Sequence, residues 1–281
     1  MYQITKTEIN NSNLINDNSK AWAIENLDYL NKPMKFFGSS MKTQKGKDKF
    51  ETHILYLQPA DKVAVKTLCV FAETAGCKKP CLISSGMLGM TTGQNAATKR
   101  TVLMLLRPIE FETSILKEID KAERKAIKTG IPALFRLNGT SDIDFSYIIK
   151  SRPASQFYDY TKIISRIRKN KLDNYDLTFS GSMFSDKSKL QLKKAIKRNY
   201  RVAVAFNTAK TKFDTLTVPE LTSFDTTDLR HLDKNVVGTL TRKGSSSAAR
   251  AIENKKTNSF FVTLANIIEF NAILAHYNQP R

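Results

Sequence analysis

Short apolar runs of strand character recur along this chain, with amphipathic and mostly basic helical stretches between them. FETHILYL (50–57), ALFRL (133–137), QFYDY (156–160), YDLTF (175–179), RVAVAF (201–206) and VVGTL (236–240) are the clearest runs, and 221–225 adds a further one. Helical spacing links Ile115, Ile119, Ala122 and Ala126, and Gly130 with Pro132 supplies a stop. Residues 161–170 and 188–199 read as two more helices. Strands that pair in parallel need long crossovers, and helices supply them. The pattern therefore predicts an α/β fold with a mostly parallel sheet and helices outside it. At least five strand ends run into polar or glycine-bearing segments, and curvature gathers more such ends at one rim than an open sheet does. This favours a partial or distorted (β/α) barrel.

The polar stretch 1–40 reads as an N-terminal extension, and 41–281 as a single α/β domain with a cysteine-bearing loop at 69–81. The polar, basic run 41–49 is expected to be a loop. The opening residues lack the apolar core of a secretory signal, and nowhere is there the run of about 20 apolar residues that a membrane helix requires. A cytoplasmic protein with no membrane partner is the expectation. Lys and Arg number 45 against 26 Asp and Glu, a formal charge of +19. Such an excess attracts polyanions through a salt-dependent and sequence-independent term, so DNA, RNA or a nucleotide is the expected partner.

Cys69, Cys77 and Cys81 are the only cysteines, spaced C-x₇-C-x₃-C. An odd, clustered count argues against a secreted disulfide framework and points to thiolates used as ligands or to buried thiols. Three thiolates suit a 4Fe-4S cluster whose fourth iron stays open to a ligand such as S-adenosylmethionine. Zinc is the runner-up, with His53, His231 or His276 as the fourth ligand. The glycines of SSGMLGMTTGQ (84–94) would let the backbone come close to a cofactor.

Strand ends supply the other candidates. Asn138, Ser141 and Asp142 follow 133–137 and offer donors, acceptors and a carboxylate base, or else a turn that caps the next helix. Asp159 and Lys162 could hold a polar substrate, with only one of Tyr158 and Tyr160 expected to face the rim. Asp228, with Asp225 and Asp233, could hold a divalent metal as nucleases do, or cap a helix. Arg242, Lys243 and Gly244 form a basic loop fit for phosphate, without a P-loop pattern. Two basic faces, Arg166 to Lys171 and Lys187 to Arg198, could track a nucleic-acid backbone.

Several of these segments also carry a resemblance. The line ILYLQPA, Cys77-x₃-Cys81-Leu82, Lys99-Arg100-Thr101, RLNGTSDIDF (136–145), FYDYTK (157–162), NYDLTFSGS (174–182), DTTDLRHLD (225–233) and GTLTRKG (238–244) resembles the bacteriophage gene product 88 family over roughly residues 40 to 270. The resemblance implies a phage origin, an α/β fold and a place in the cytoplasm of the infected host cell. Val70 stands where the family's cysteine block has proline. The strand-end motifs also look like distant radical S-adenosylmethionine enzymes, which usually carry C-x₃-C-x₂-C. Three functions are compatible with these features: an iron-sulfur (radical-type) enzyme acting on nucleotides or nucleic acid, a non-catalytic nucleic-acid-binding protein of phage replication or host takeover, and a divalent-metal nuclease.

Overall fold

The computed structural model describes residues 3–38, 43, 49–208, 221–226, 228–233, 237–243 and 246–275. Gly244, His276, the start of the 236–240 run and most of the 41–49 run lie outside the described residues. The fold is α/β. Among the described residues, eight strands follow the order β1-β2-β3-β4-β5-β6-β8-β7. They are β1 (Phe37–Gly38), β2 (Glu51–Leu55), β3 (Ala133–Arg136), β4 (Gln156–Thr161), β5 (Tyr175–Ser180), β6 (Val202–Phe206), β7 (Thr222–Ser223) and β8 (Val237–Thr241). β1 pairs antiparallel with β2, whereas β2–β3, β3–β4, β5–β6, β6–β8 and β7–β8 are parallel. The chain forms two compact units, Met1–Val70 with Cys81–Phe157 and Phe71–Pro80 with Tyr158–Arg281.

The first unit holds helices α1 (Lys6–Asn11), α2 (Asp17–Glu25), α3 (Leu27–Asn31), α4 (Thr91–Leu106), α5 (Pro108–Thr129) and α6 (Ser146–Lys150). Pro108 opens α5 at its first turn, and Gly130 closes it in the left-handed conformation at φ 71°. Its buried face is Phe111, Ile115, Ile119 and Ala122. Residues of the N-terminal stretch are packed. Ile4, Ile9, Ala23 and Leu30 are at most 1% exposed, and each such burial is worth up to about 1.5–3 kcal/mol for the larger side chains. A buried cation fastens them. The Lys99 ammonium donates to the carbonyls of Tyr29 and Lys32, each at 2.5 Å, and lies 4.7 Å from the Tyr29 ring centre. The next two residues act similarly: Arg100 donates to the Lys35 carbonyl, and the Thr101 hydroxyl accepts from the Gln58 amide.

The second unit holds α7 (Ile164–Lys169), α8 (Asp186–Lys197), α9 (Ser247–Asn254) and α10 (Ile267–Leu274). Phe179, Val204, Phe206 and Val237 from the strands meet Leu192 and Ile196 of α8 and Phe270 and Leu274 of α10 in one apolar cluster. Alternation turns Gly238 to the opposite face. There the ring of Phe224 lies so close that a Cβ on Gly238 would sit 2.2 Å from it. Arg230, only 1% exposed, covers that ring at 3.9 Å, so the stretch 224–233 straps this face of the strands.

Candidate functional site

Four strands of the second unit end close to polar side chains. Lys162 follows β4, Ser180 ends β5, Asn207 follows β6, and Arg242 follows β8. The Lys162 ammonium donates to the Ser180 hydroxyl at 2.9 Å and carbonyl at 3.2 Å, and sits 4.6 Å from the Phe260 ring centre. Phe260 packs edge-on against Phe261 at 5.0 Å. The Arg242 guanidinium lies 4.8 Å from the Phe261 ring and donates to Asn207 Oδ1 at 2.9 Å. Two cations are thus seated over two adjacent rings, each also hydrogen-bonded to a strand end. Cation–ring contacts of this kind orient a charged head without neutralising it.

Local sequence explains why the ends converge. A Cβ on Gly181 would sit 2.7 Å from Leu192, so glycine there lets α8 approach the end of β5. Ser185 then starts α8 with a capping box. Beyond β8, the buried Asn207 donates to the Arg250 carbonyl and Asn254 Oδ1, while Arg250 returns bonds to the carbonyls of Asn207 and Arg242. This lattice fixes α9 against the strand end. Lys243 is exposed and pairs with Asp225 at 3.1 Å. Burial opposes the charge on Asp225, yet the Thr241 N–H and Lys243 outweigh it and hold its carboxyl below the usual range. Phe260 and Phe261 were not singled out from sequence; the adjacent aromatics in NSFFV (258–262) were the available signal.

The remaining acidic candidates go elsewhere. Asp159, 1% exposed, accepts from the Tyr175 hydroxyl, on the face of β4 away from Tyr158 and Tyr160. Both of those tyrosines point the same way, because residues two apart on a strand share a face, and both hydroxyls donate to Asp228, at 3.2 and 3.3 Å. Asp233 binds Arg230 at 2.8 Å, so Asp225, Asp228 and Asp233 have separate partners. Arg201 ties the strap further by donating to the Arg230 carbonyl and pairing with Asp176. Burial lowers the pKa of His231, whose ring lies 6.1 Å from that of Tyr158.

In the first unit, Asn138 Oδ1 accepts from the Ser141 hydroxyl and the Ile143 amide, and Nδ2 donates to the Ile143 carbonyl. The Thr140 hydroxyl donates to the Leu57 carbonyl and the Asp142 amide to the Leu68 carbonyl. The turn is thus woven into its surroundings. Gly89 and Gly93 bring the chain close to itself: Cβ atoms there would meet the Ser84 and Met87 carbonyls at 2.7 and 2.2 Å. None of the three cysteines is in a disulfide, and all are half-buried. The Cys69 thiol is 3.7 Å from the Thr140 carbonyl, and the Cys77 thiol is 3.8 Å from the Ala72 carbonyl. Among the described residues no three His, Cys, Asp or Glu side chains gather as a metal ion requires.

No helix of the described residues is long and apolar enough to cross a membrane. No curated protein matches the chain, and no solved structure does. Neither comparison lends support to the likeness to radical S-adenosylmethionine enzymes. The family model described as Gene product 88 matches residues 31–256, from the third helix into the stretch after α9, taking in every strand described above. The chain therefore belongs to the phage Gene product 88 family.

Proposed function

We propose that this phage protein binds a phosphate-bearing polyanion, single-stranded nucleic acid above all, at the strand ends of its second unit, in the cytoplasm of the infected cell and without breaking a bond. The observation that carries this reading is the pair of cations, Lys162 and Arg242, seated over the adjoining rings of Phe260 and Phe261. Charge supports it. Around these ends Lys162, Arg242, Lys243 and Arg250 stand against Asp225 and Glu253, and the chain as a whole carries +19. The connecting helices extend the same sign: α7 brings Arg166, Arg168 and Lys169, and α8 brings Lys187, Lys193, Lys194 and Lys197. Backbone contacts of this type set affinity and its salt dependence and carry no sequence code.

Fluorescence anisotropy with labelled single-stranded DNA and RNA, over a series of salt concentrations, tests the reading. Each lost phosphate contact should flatten the plot of log K against log salt by about 0.7 on a single strand. Lys162→Met with Arg242→Met is expected to flatten it by about 1.4. Lys121→Gln with Lys128→Gln, which removes the same charge from exposed positions on α5, is the control and should leave the slope nearly unchanged. Equal effects of the two pairs would reduce the reading to diffuse attraction, and no binding at low salt would end it.

A further inference from the structure

Helix α9 sits on the second unit the wrong way round for an amphipathic helix. Arg250, Glu253 and Asn254 attach it: Arg250 and Asn254 bond to the strand ends, and Glu253 accepts from the Ser259 hydroxyl at 2.6 Å. Ala248, Ala251 and Ile252 are exposed instead, and no residue of α9 is buried. Each triplet has the spacing i, i+3, i+4, and the two are offset by two positions, about 200° around the helix, so they occupy opposite sides. A surface helix normally buries its apolar stripe and hydrates the polar one.

The apolar surface continues towards α10. The Ala265 amide donates to the Asn254 carbonyl at 3.0 Å, which brings the turn before α10 to the end of α9. Leu264 in that turn, then Ile268 and Ala272 on the helix, are exposed, while Ile267, Phe270, Ile273 and Leu274 are buried. Ile252, Leu264 and Ile268 are 63, 52 and 82% exposed. Single exposed apolar side chains are ordinary, but a run of them across two adjoining helices marks an interaction surface. Its rim is basic. Lys256 is paired with Glu253, and Lys189 of α8 with Glu269. Lys255 and, one turn beyond Lys189, Lys193 have no carboxylate partner among the described residues. A second copy of the chain would set +19 against +19, so charge favours an acidic partner instead.

We infer that the outer face of α9 and α10 docks an acidic amphipathic helix of a partner protein, with its apolar stripe on Ile252, Leu264 and Ile268 and its carboxylates towards Lys255 and Lys193. Leu264, Ile268 and Ala272 recur about once per turn, the interval at which such a helix repeats its own apolar residues. The inference does not rest on the polyanion reading, which uses the strand ends and the inner side of α9. The test is fluorescence anisotropy of the full chain with two labelled peptides of identical leucine, alanine and glutamate content. One carries its leucines at helical spacing and the other is a scramble. Saturable binding of the striped peptide, about tenfold or more tighter than the scramble, is expected. Ile252→Gln with Ile268→Gln should weaken it about tenfold or more and leave the melting temperature unchanged, because both side chains are exposed. Lys193→Gln with Lys255→Gln should weaken it less and reduce its salt dependence. Equal binding of the two peptides, or binding undiminished in the isoleucine pair, overturns the inference. So does a chain that sediments as a dimer and becomes monomeric in that pair, which assigns the face to a second copy. Flotation with phosphatidylglycerol vesicles that the isoleucine pair abolishes, without peptide binding, assigns it to a membrane and overturns the inference equally.

Discussion

Gly238→Ala tests whether the strap across the second unit is packed as tightly as its geometry implies. Gly238 has an ordinary strand backbone, so alanine there meets no conformational penalty and would by itself gain about 0.5–1 kcal/mol. Packing reverses the sign. The added methyl would lie 2.2–2.3 Å from three atoms of the Phe224 ring, where contact begins near 3.5 Å. The ring must therefore retreat by about 1 Å. It has no room to do so, because the Arg230 guanidinium covers it at 3.9 Å and the Arg230 carbonyl is held by Arg201. Overpacking of this type costs about 1–3 kcal/mol, for a net loss near 1–2 kcal/mol. That corresponds to a melting temperature lower by roughly 3–6 °C for a domain of this size. Urea denaturation of Gly238→Ala, Phe224→Ala and the double variant measures it. Phe224→Ala alone should cost about 3–5 kcal/mol, and the double variant should cost clearly less than the sum, since the new methyl enters the space the ring leaves. A Gly238→Ala protein as stable as the parent, or strictly additive losses, would refute the packing.

Three further outcomes follow from other parts of the molecule. Burial, with the Lys32 charge adding, lowers the Lys99 pKa to about 8 from the usual 10.5, so the unfolded chain binds that proton more tightly than the folded one. Stability should therefore rise with pH between about 8 and 10.5, by at most about 1.4 kcal/mol per pH unit, and Lys99→Met should lose this rise; parallel curves for the two proteins in urea denaturation at stepped pH would contradict it. Asp228→Ala takes an acceptor from the hydroxyls of buried Tyr158 and half-buried Tyr160 and should cost about 2–4 kcal/mol, with Asp228→Asn recovering about half; a change under about 0.5 kcal/mol would show that Asp228 does not hold the strap. Anaerobic purification with iron and sulfide quantitation tests the cysteine cluster: about four irons and four sulfides per chain, lost in Cys77→Ala, is the outcome if Cys69, Cys77 and Cys81 hold it, and colourless, metal-free, folded protein would remove that reading.

The strands were the most legible part of the sequence, for a physical reason. Runs such as VAVAF or YDLTF are buried on both faces, and a continuous apolar stretch bounded by turn residues has few other uses. The readings 175–179 and 201–206 differ from Tyr175–Ser180 and Val202–Phe206 by a single residue. Helix α5 was visible because its apolar period runs for several turns. The packing of α1 to α3 was not, since each is too short to show a period and their anchor, Lys99, lies far along the chain. A buried lysine donating to two carbonyls looks like any other lysine in a sequence with so many. The site was legible in part. Lys162, Arg242 and Lys243 could be found as polar residues at strand ends, but the rings that seat two of them come from 260 and 261, and only the folded chain brings those together.

Polar residues at strand ends in an α/β fold serve either ligand or scaffold, and burial with satisfied bonding separates the two. Asp159, Asn138 and Asp228 are at most 6% exposed and bonded to tyrosines or to their own turn. A carboxylate so placed would have to break those bonds to meet a substrate, and each bond lost leaves another buried group unpaired. Lys162 and Arg242 are half-buried, with their charged heads over ring faces and against neutral oxygens. An incoming phosphate can approach them and gain charge-assisted bonds without dismantling the core. Of the residues that carry ligand chemistry by type, those with their bonding already complete hold the fold, and those with bonding left to offer are where a partner is to be sought.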